Sequence, residues 1–334
     1  MRRNRRSALF SASLFLFLAA CAENAPQDTL EPKGPVARQI DNLMDPVFVV
    51  AGIVFLLVQG LVLVAVFKFR AKPDSPEPEQ VHGNTRLEVG WTLVPALILV
   101  AVAVPTIATI FDIARKPDNP VNVTVIGHQF WWEYRYDDLG VVTANELRMP
   151  VGRAVELTLN SEDVIHSYWI PALAGKMDVV PGRDNRMHLI ADAPGEYLGQ
   201  CAEFCGDSHA NMRAKAIAMT AADFDAWVAS QRAGAAEPEP GTPAEEGLTT
   251  FNQRGCGSCH TVEGVSSGTI GPNLTHFASR TTFAGSMFDN TDANLRRWLA
   301  DPQGVKPGNR MLIPGGPLGP AEITQLIAYL NTLR

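Results

Sequence analysis

Residues 201–212 read CAEFCGDSHANM, which packs two cysteines, a glutamate, a histidine and a methionine into twelve positions. Thiolate and thioether are soft ligands and imidazole is intermediate, a mixture that suits copper. One blue-copper ion takes a single Cys, two His and a weak Met. This stretch therefore holds one thiolate more than one copper needs, and two coppers bridged by both thiolates would use it. The second histidine has to come from elsewhere, and His166 in NSEDVIHSYWIP is the natural candidate. Taken alone, Cys201 and Cys205 also read as a disulfide or as part of a zinc site, which their spacing does not exclude. The added presence of Glu203, His209, Met212 and His166 tips the balance to copper.

A second chemical motif follows. Cys256-Gly257-Ser258-Cys259-His260 is C-x-x-C-H, the attachment signature of a c-type haem. Cys256 and Cys259 would form thioethers to the vinyl groups, and His260 would ligate iron. A thioredoxin-like redox pair is the competing reading. It lacks the βαβ pattern such a pair needs, and a histidine follows at once. The sixth ligand of an electron-transfer haem is expected to be methionine. Met287 and Met311 are the choices, and the KPGNRM context favours Met311.

The elements that must position these residues are legible from hydropathy. Residues 46–69 and 91–112 are two apolar stretches of about the ~20 residues that cross a bilayer core. Pro46, Pro95 and Pro105 lie in them; internal prolines are tolerated in membrane helices when neighbours re-satisfy the backbone. The connecting loop, residues 70–90, carries Arg70, Lys72 and Arg86, with Lys68 just before it. By the positive-inside rule it is cytoplasmic, and everything after Arg115 is external. MRRNRR followed by ALFSASLFLFLAA and Cys21 reads as a lipoprotein-type signal over residues 1–20, with Cys21 lipidated and residues 21–45 external. An ordinary signal peptide is the alternative.

From Asn119 the pattern changes to short runs rich in Val, Ile, Thr and aromatics, broken by Gly, Pro and Asn-Asp. Such runs predict an all-β sandwich or barrel over residues 116–231. The copper stretch falls between two strands as a loop, because Gly206, Asp207 and Ser208 weaken a helical reading of its i, i+4 spacing. AADFDAWVASQR predicts a short closing helix. Residues 232–244, rich in Ala, Pro, Glu and Gly, read as a semi-extended, mobile linker. Residues 245–334 form the unit around the haem motif.

The complete pattern C-x-E-x-C-x-x-x-H-x-x-M, with His166 upstream, resembles the dinuclear copper (CuA) site of cytochrome c oxidase subunit II. NTRLEVGWTLVPALILV is similar to the start of that family's second membrane helix. GPNLTHFASR, ANLRRWLADPQGVKPGNRML and AEITQLIAYLNTL resemble segments of a class I cytochrome c. The resemblance implies a two-helix membrane hairpin packed on subunit I, a cupredoxin-like sandwich holding CuA, and an all-α cytochrome c domain. It implies His166, Cys201, Glu203 (through its carbonyl), Cys205, His209 and Met212 as copper ligands. It further implies a magnesium or manganese ion on the Glu203 carboxylate at the subunit I interface. Asp137, Asp138, Glu162 and Asp163 match acidic positions with which the family docks cytochrome c; an ordinary solvated face is the other reading. In the family a tryptophan usually follows Gly-His-Gln and receives the electron. Here Phe130 stands there and Trp131 follows, so the attached haem, rather than a soluble cytochrome, becomes the expected donor.

The implied function is the electron-entry subunit of a bacterial respiratory oxidase in the inner membrane, with its copper and haem domains on the periplasmic or external side. Its partners would be subunits I and III, and its donor an external cytochrome c or a quinol–cytochrome c reductase. Dioxygen reduction and proton pumping would belong to subunit I. A net charge of −7 argues against nucleic-acid binding. The acids concentrate on residues 116–231, which hold sixteen acidic against nine basic side chains, while residues 245–334 balance at seven each. Three alternatives bear on this. A copper-binding or copper-delivery protein leaves the haem motif unexplained, and a quinol-oxidase-type subunit would lack the copper ligands. A nitrous oxide reductase needs a histidine-rich second site that seven histidines do not support.

Overall fold

The computed structural model describes residues 25–70, 77, 80 and 82–334. The signal segment and Cys21 lie outside the described residues. Helix α1 (Pro35–Lys68) opens with proline in its first turn, where the missing N–H is not needed. Helix α2 (Thr85–Ile113) is capped by Asn84, whose side chain accepts from the backbone N–H of Arg86 and Leu87. Their most apolar windows have no buried share, so this surface is left for lipid or other chains. At 34 residues α1 is about 51 Å long, well beyond the ~30 Å of a hydrocarbon core.

The extra length of α1 has a use. The helix starts eleven residues before the apolar stretch expected from hydropathy, and its first turn is built into the β domain. Val36 and Ala37 are buried, Ala37 N–H donates to Leu173 O, and Lys33 exchanges backbone bonds with Ala172 and Asp192. Arg38 forms a two-point ion pair with Asp192. The sequence hid this turn because VARQIDNLM is not uniformly apolar and Pro46 looked like a start.

The β domain is a sandwich of two five-stranded sheets. One has the order β3 (Val141–Ala144), β2 (Trp131–Tyr136), β1 (Val121–His128), β5 (Val155–Ser161), β8 (Asn185–Leu189). The other runs β4 (Glu146–Pro150), β10 (Arg213–Met219), β9 (Gly195–Cys201), β6 (His166–Trp169), β7 (Met177–Val179). The pairings β1–β5 and β4–β10 are parallel and the rest antiparallel. Val125, Leu157 and Leu159 from one sheet and Leu147, Met149 and Tyr168 from the other are fully buried between them. Helix α3 (Ala221–Gln231), capped by Thr220, closes the domain by packing Phe224 and Trp227 on Tyr136.

The C-terminal domain is built on α4 (Pro243–Gln253), α5 (Asp292–Ala300), α6 (Pro302–Val305) and α7 (Pro320–Leu330). Phe251 of α4 and Tyr329 of α7 meet edge to face at 5.6 Å. Leu295, Leu299, Ile323, Leu326 and Ile327 join them in a separate core that also holds Phe277, Phe283 and Phe288. This domain is seated on the sandwich. Ser208 Oγ donates to Pro307 O, Arg213 N–H to Gly285 O, and Lys306 Nζ to Phe130 O.

Candidate metal centres

The register of the second sheet assembles the first centre. Strand β6 pairs with β9 so that Tyr168 stands opposite Cys201, which brings His166, at the start of β6, beside the last residue of β9. Met212 precedes β10, and Cys201 N–H donates to its carbonyl, closing the loop at its base. Within the loop His209 lies on a single 3-10 turn (His209–Asn211).

The donor atoms converge. Cys201 Sγ lies 3.8 Å from Cys205 Sγ, 3.8 Å from His166 Nδ1 and 3.2 Å from the carbonyl oxygen of Glu203. Cys205 Sγ lies 3.6 Å from His209 Nδ1 and 3.8 Å from Met212 Sδ. A disulfide needs sulfurs about 2.05 Å apart, and both cysteines are free thiols. Two sulfurs at ~2.3 Å from one tetrahedral ion are about 3.8 Å apart, so these spacings suit shared metal ligation. Six donors exceed the four of one tetrahedral ion. They fit two soft metal ions that share the thiolates.

Cys201, Cys205, His166 and Met212 are buried, whereas Glu203 and Phe204 are exposed beside them. The contact between the two sulfurs, with help from His166, draws the Cys201 pKa down against the pull of burial. The same contact and burial push Cys205 up. Cysteine ligates metal as thiolate, so metal binding here would release protons.

One expectation is corrected. Asp163 was placed with a docking face, but its side chain is only 4% exposed. Oδ1 lies 2.8 Å from His166 Nε2, and Oδ2 accepts from the backbone N–H of Gln129. Burial opposes its ionisation, yet the His166 bond and two backbone N–H groups bring its pKa down to about 2. It orients the imidazole so that Nδ1 faces the sulfurs, the usual arrangement behind a metal-bound histidine. Gln129 completes the brace by donating from Nε2 to Cys205 O. Sequence reading missed this pair, although an aspartate three residues before a ligand histidine was the available signal. Glu162, Asp137 and Asp138 are exposed; the last two accept from Thr124 and Asn122. Phe130 is buried beneath the C-terminal domain, while Trp131 is half-buried and stacks on His128 with ring centroids 4.2 Å apart.

The second centre lies in the C-terminal domain. Cys256 and Cys259 flank a short 3-10 turn and are partly buried. His260 Nδ1 lies 2.8 Å from Pro272 O, which leaves Nε2 as the coordinating nitrogen. Burial lowers its pKa, with Arg280 adding to the effect against the Pro272 carbonyl, so the neutral, ligating form is favoured. A Cβ at Gly271 would come within 2.5 Å of the imidazole, so only glycine fits this approach. Met311 Sδ accepts from Trp298 Nε1 at 3.0 Å, and Met311 N–H is tied to Asn309 Oδ1. Met287 and Met311 both pack against the domain's core. Two cysteines and an oriented histidine make a donor set that fits a covalently attached haem, and the Met311 thioether is held in place by Trp298.

Two apolar helices, a β-sandwich with a converged sulfur–imidazole cluster and a helical C-x-x-C-H domain together define a membrane-anchored protein with two candidate metal centres. The family models agree with that class. Residues 27–109 match the cytochrome c oxidase subunit II transmembrane domain, residues 140–219 its periplasmic domain, and residues 244–334 cytochrome c. The chain is 42% identical over 330 residues to cytochrome c oxidase subunit 2 of Alkalihalophilus pseudofirmus, covering 96% of this chain and 95% of that one. It is 37% identical over 287 residues to the same subunit of Bacillus sp. strain PS3, covering 80% of each. Among solved structures, the periplasmic domain of subunit II of cytochrome oxidase from Bradyrhizobium japonicum is 28% identical, with a TM-score of 0.34, covering 35% of this chain and 96% of that one. The chain belongs to the cytochrome c oxidase subunit II family, in a form that carries a cytochrome c domain.

Proposed function

We propose that this chain is the electron-entry subunit of a bacterial cytochrome c oxidase. Cys256, Cys259 and His260 would hold a haem c, with Met311 as a further ligand, and His166, Cys201, Glu203, Cys205, His209 and Met212 would hold two coppers; the bound groups would carry the electrons. They leave for subunit I, where dioxygen is reduced and protons are pumped. The chain sits in the inner membrane by two spans, with both domains external. Subunit III, a magnesium or manganese ion on Glu203, and lipidation of Cys21 complete the reading. Glu162, Asp137 and Asp138 are the acids left to meet an external donor.

When bound, the haem and the coppers supply one-electron carriers that change charge without bond cleavage. The residues of the chain do the rest. Asp163 and Pro272 hold the two histidines in their ligating orientation, and the sandwich walls exclude water from the thiolates. The observation that carries the reading is the seat of the C-terminal domain. It rests on the copper loop itself, through Ser208 to Pro307 O, and on Phe130. A copper-delivery protein has no need of a haem motif over its copper loop, and a quinol-oxidase-type subunit has no need of the thiolate pair. A visible and near-infrared spectrum of the purified chain after copper addition tests the reading. A haem c Soret band together with near-infrared copper absorption is expected. Haem bands without copper absorption would contradict it.

A further inference from the structure

Two buried ionisable side chains cross the domain boundary in opposite directions. Glu146, on β4 of the sandwich, has a side chain only 1% exposed. Its Oε1 accepts from the backbone N–H groups of Thr281 and Thr282, both at 2.8 Å, and from their hydroxyls at 2.5 and 3.0 Å. Its Oε2 accepts from Arg148. Burial opposes its ionisation, but Arg148 and the threonines outweigh that and keep it a carboxylate. Lys306, on the C-terminal domain, is 2% exposed. Its Nζ donates to Phe130 O at 2.7 Å and to Ala284 O at 2.6 Å. Burial draws its pKa down to about 7 against the pull of Cys205, and either protonation state can donate to both carbonyls.

The segment 281–286 links the two contacts. Beyond the threonines and Ala284, Gly285 O accepts from Arg213 N–H and Ser286 Oγ donates to Asn145 O. Gly285 has φ +74°, and a Cβ there would lie 2.6 Å from Phe130 O, so the segment fits between the domains only as glycine. Each group combines partners from its own domain with partners from the other: Glu146 adds the threonines to Arg148, and Lys306 adds Phe130 O to Ala284 O. Lifting the domains apart would strip the Glu146 carboxylate of four donors and Lys306 of one of its two acceptors. A one-point contact would let the domain swivel; the buried attachments on β4 and on the turn before β2 anchor it, alongside the Ser208–Pro307, Arg213–Gly285 and Lys215–Thr281 bonds.

We infer that Glu146 and Lys306 are positioning residues, a reciprocal two-point latch that holds the C-terminal domain in one orientation over the copper loop, so that electron transfer proceeds from a locked and not a swinging domain. The inference rests on the electron-entry reading and deepens it, because it names what sets the distance and orientation of the transfer.

The test uses the full chain loaded with haem and copper. Flash reduction of the haem is followed by copper reduction in the near infrared, in wild type and in the double variant Glu146→Gln/Lys306→Met. Each is made with the natural linker and with a long Gly-Ser insertion between Glu237 and Pro238. A locked domain is indifferent to linker length, so the insertion should leave the wild-type rate unchanged. In the double variant the linker sets the encounter frequency, and the long insertion should slow transfer about tenfold. Unshifted haem and copper spectra show that the variant has folded, which a merely structural collapse would not allow. One unchanged rate in all four chains, or an equal loss on insertion in wild type, defeats the latch alone. Failure of copper to take the electron in any chain defeats the latch together with the electron-entry reading.

Discussion

At the scale of single residues, the sulfur–imidazole cluster is braced by two side chains outside the proposed ligand set. Asp163 fixes His166 at Nε2, and Gln129 joins Asp163 to the Cys205 carbonyl. Loss of such an orienting partner typically costs 10- to 100-fold in metal affinity. Asp163→Ala is accordingly expected to weaken copper binding by about that factor in a chelator competition, with Asp163→Asn between the two. Unchanged affinity in Asp163→Ala would reduce the aspartate to a bystander. For the haem, Met311→Ala should lower the reduction potential and abolish the sulfur–iron charge-transfer band, whereas Met287→Ala should keep both. The reverse result would make Met287 the ligand. The converging donor side chains were legible in the sequence, because soft donors in a short loop and C-x-x-C-H each imply their chemistry. Asp163 was read in the wrong role. Its charge suits a docking face as well as a histidine brace, and only the fold of the turn before β6 distinguishes them.

At the scale of elements, the hairpin, the strands and the closing helix follow from hydropathy and turn chemistry. The first turn of α1 does not, since its burial depends on Leu173 and Ile190, residues more than a hundred positions away. In the C-terminal domain, α4 and α7 are joined by a bidentate pair. Arg254 donates to both oxygens of Glu322, which also accepts from the Gly319 N–H at the start of α7. The Arg254 bond and the helix N-terminus bring the Glu322 carboxyl from 4.5 to about 2. A depressed carboxylate contributes stability that is present above its unfolded pKa and is lost as pH falls through the folded one. The pair should therefore weaken between about pH 4.5 and pH 2, and Glu322→Gln should remove that part of the pH dependence from thermal unfolding of the full chain. Equal slopes in wild type and variant over this range would show that the pair adds nothing.

At the scale of the whole molecule, the linker composition of residues 232–244 predicted a mobile tether, and the structure instead shows the C-terminal domain seated on the copper loop. Composition describes the tether's own stiffness. It carries no information on Glu146, Lys306 or the segment 281–286, whose complementarity arises only when both domains are folded. The same seat gives physical content to Phe130. Its ring is buried and its carbonyl is taken by Lys306, so this position is covered by the chain's own C-terminal domain. The central claim is that electrons reach copper through the attached haem. The direct test is the rate of copper reduction by the native donor in the assembled oxidase, with and without residues 245–334. The account predicts a sharp loss of rate in the truncated form at any modest salt concentration. Full-rate reduction of the truncated form by a soluble cytochrome c would contradict it.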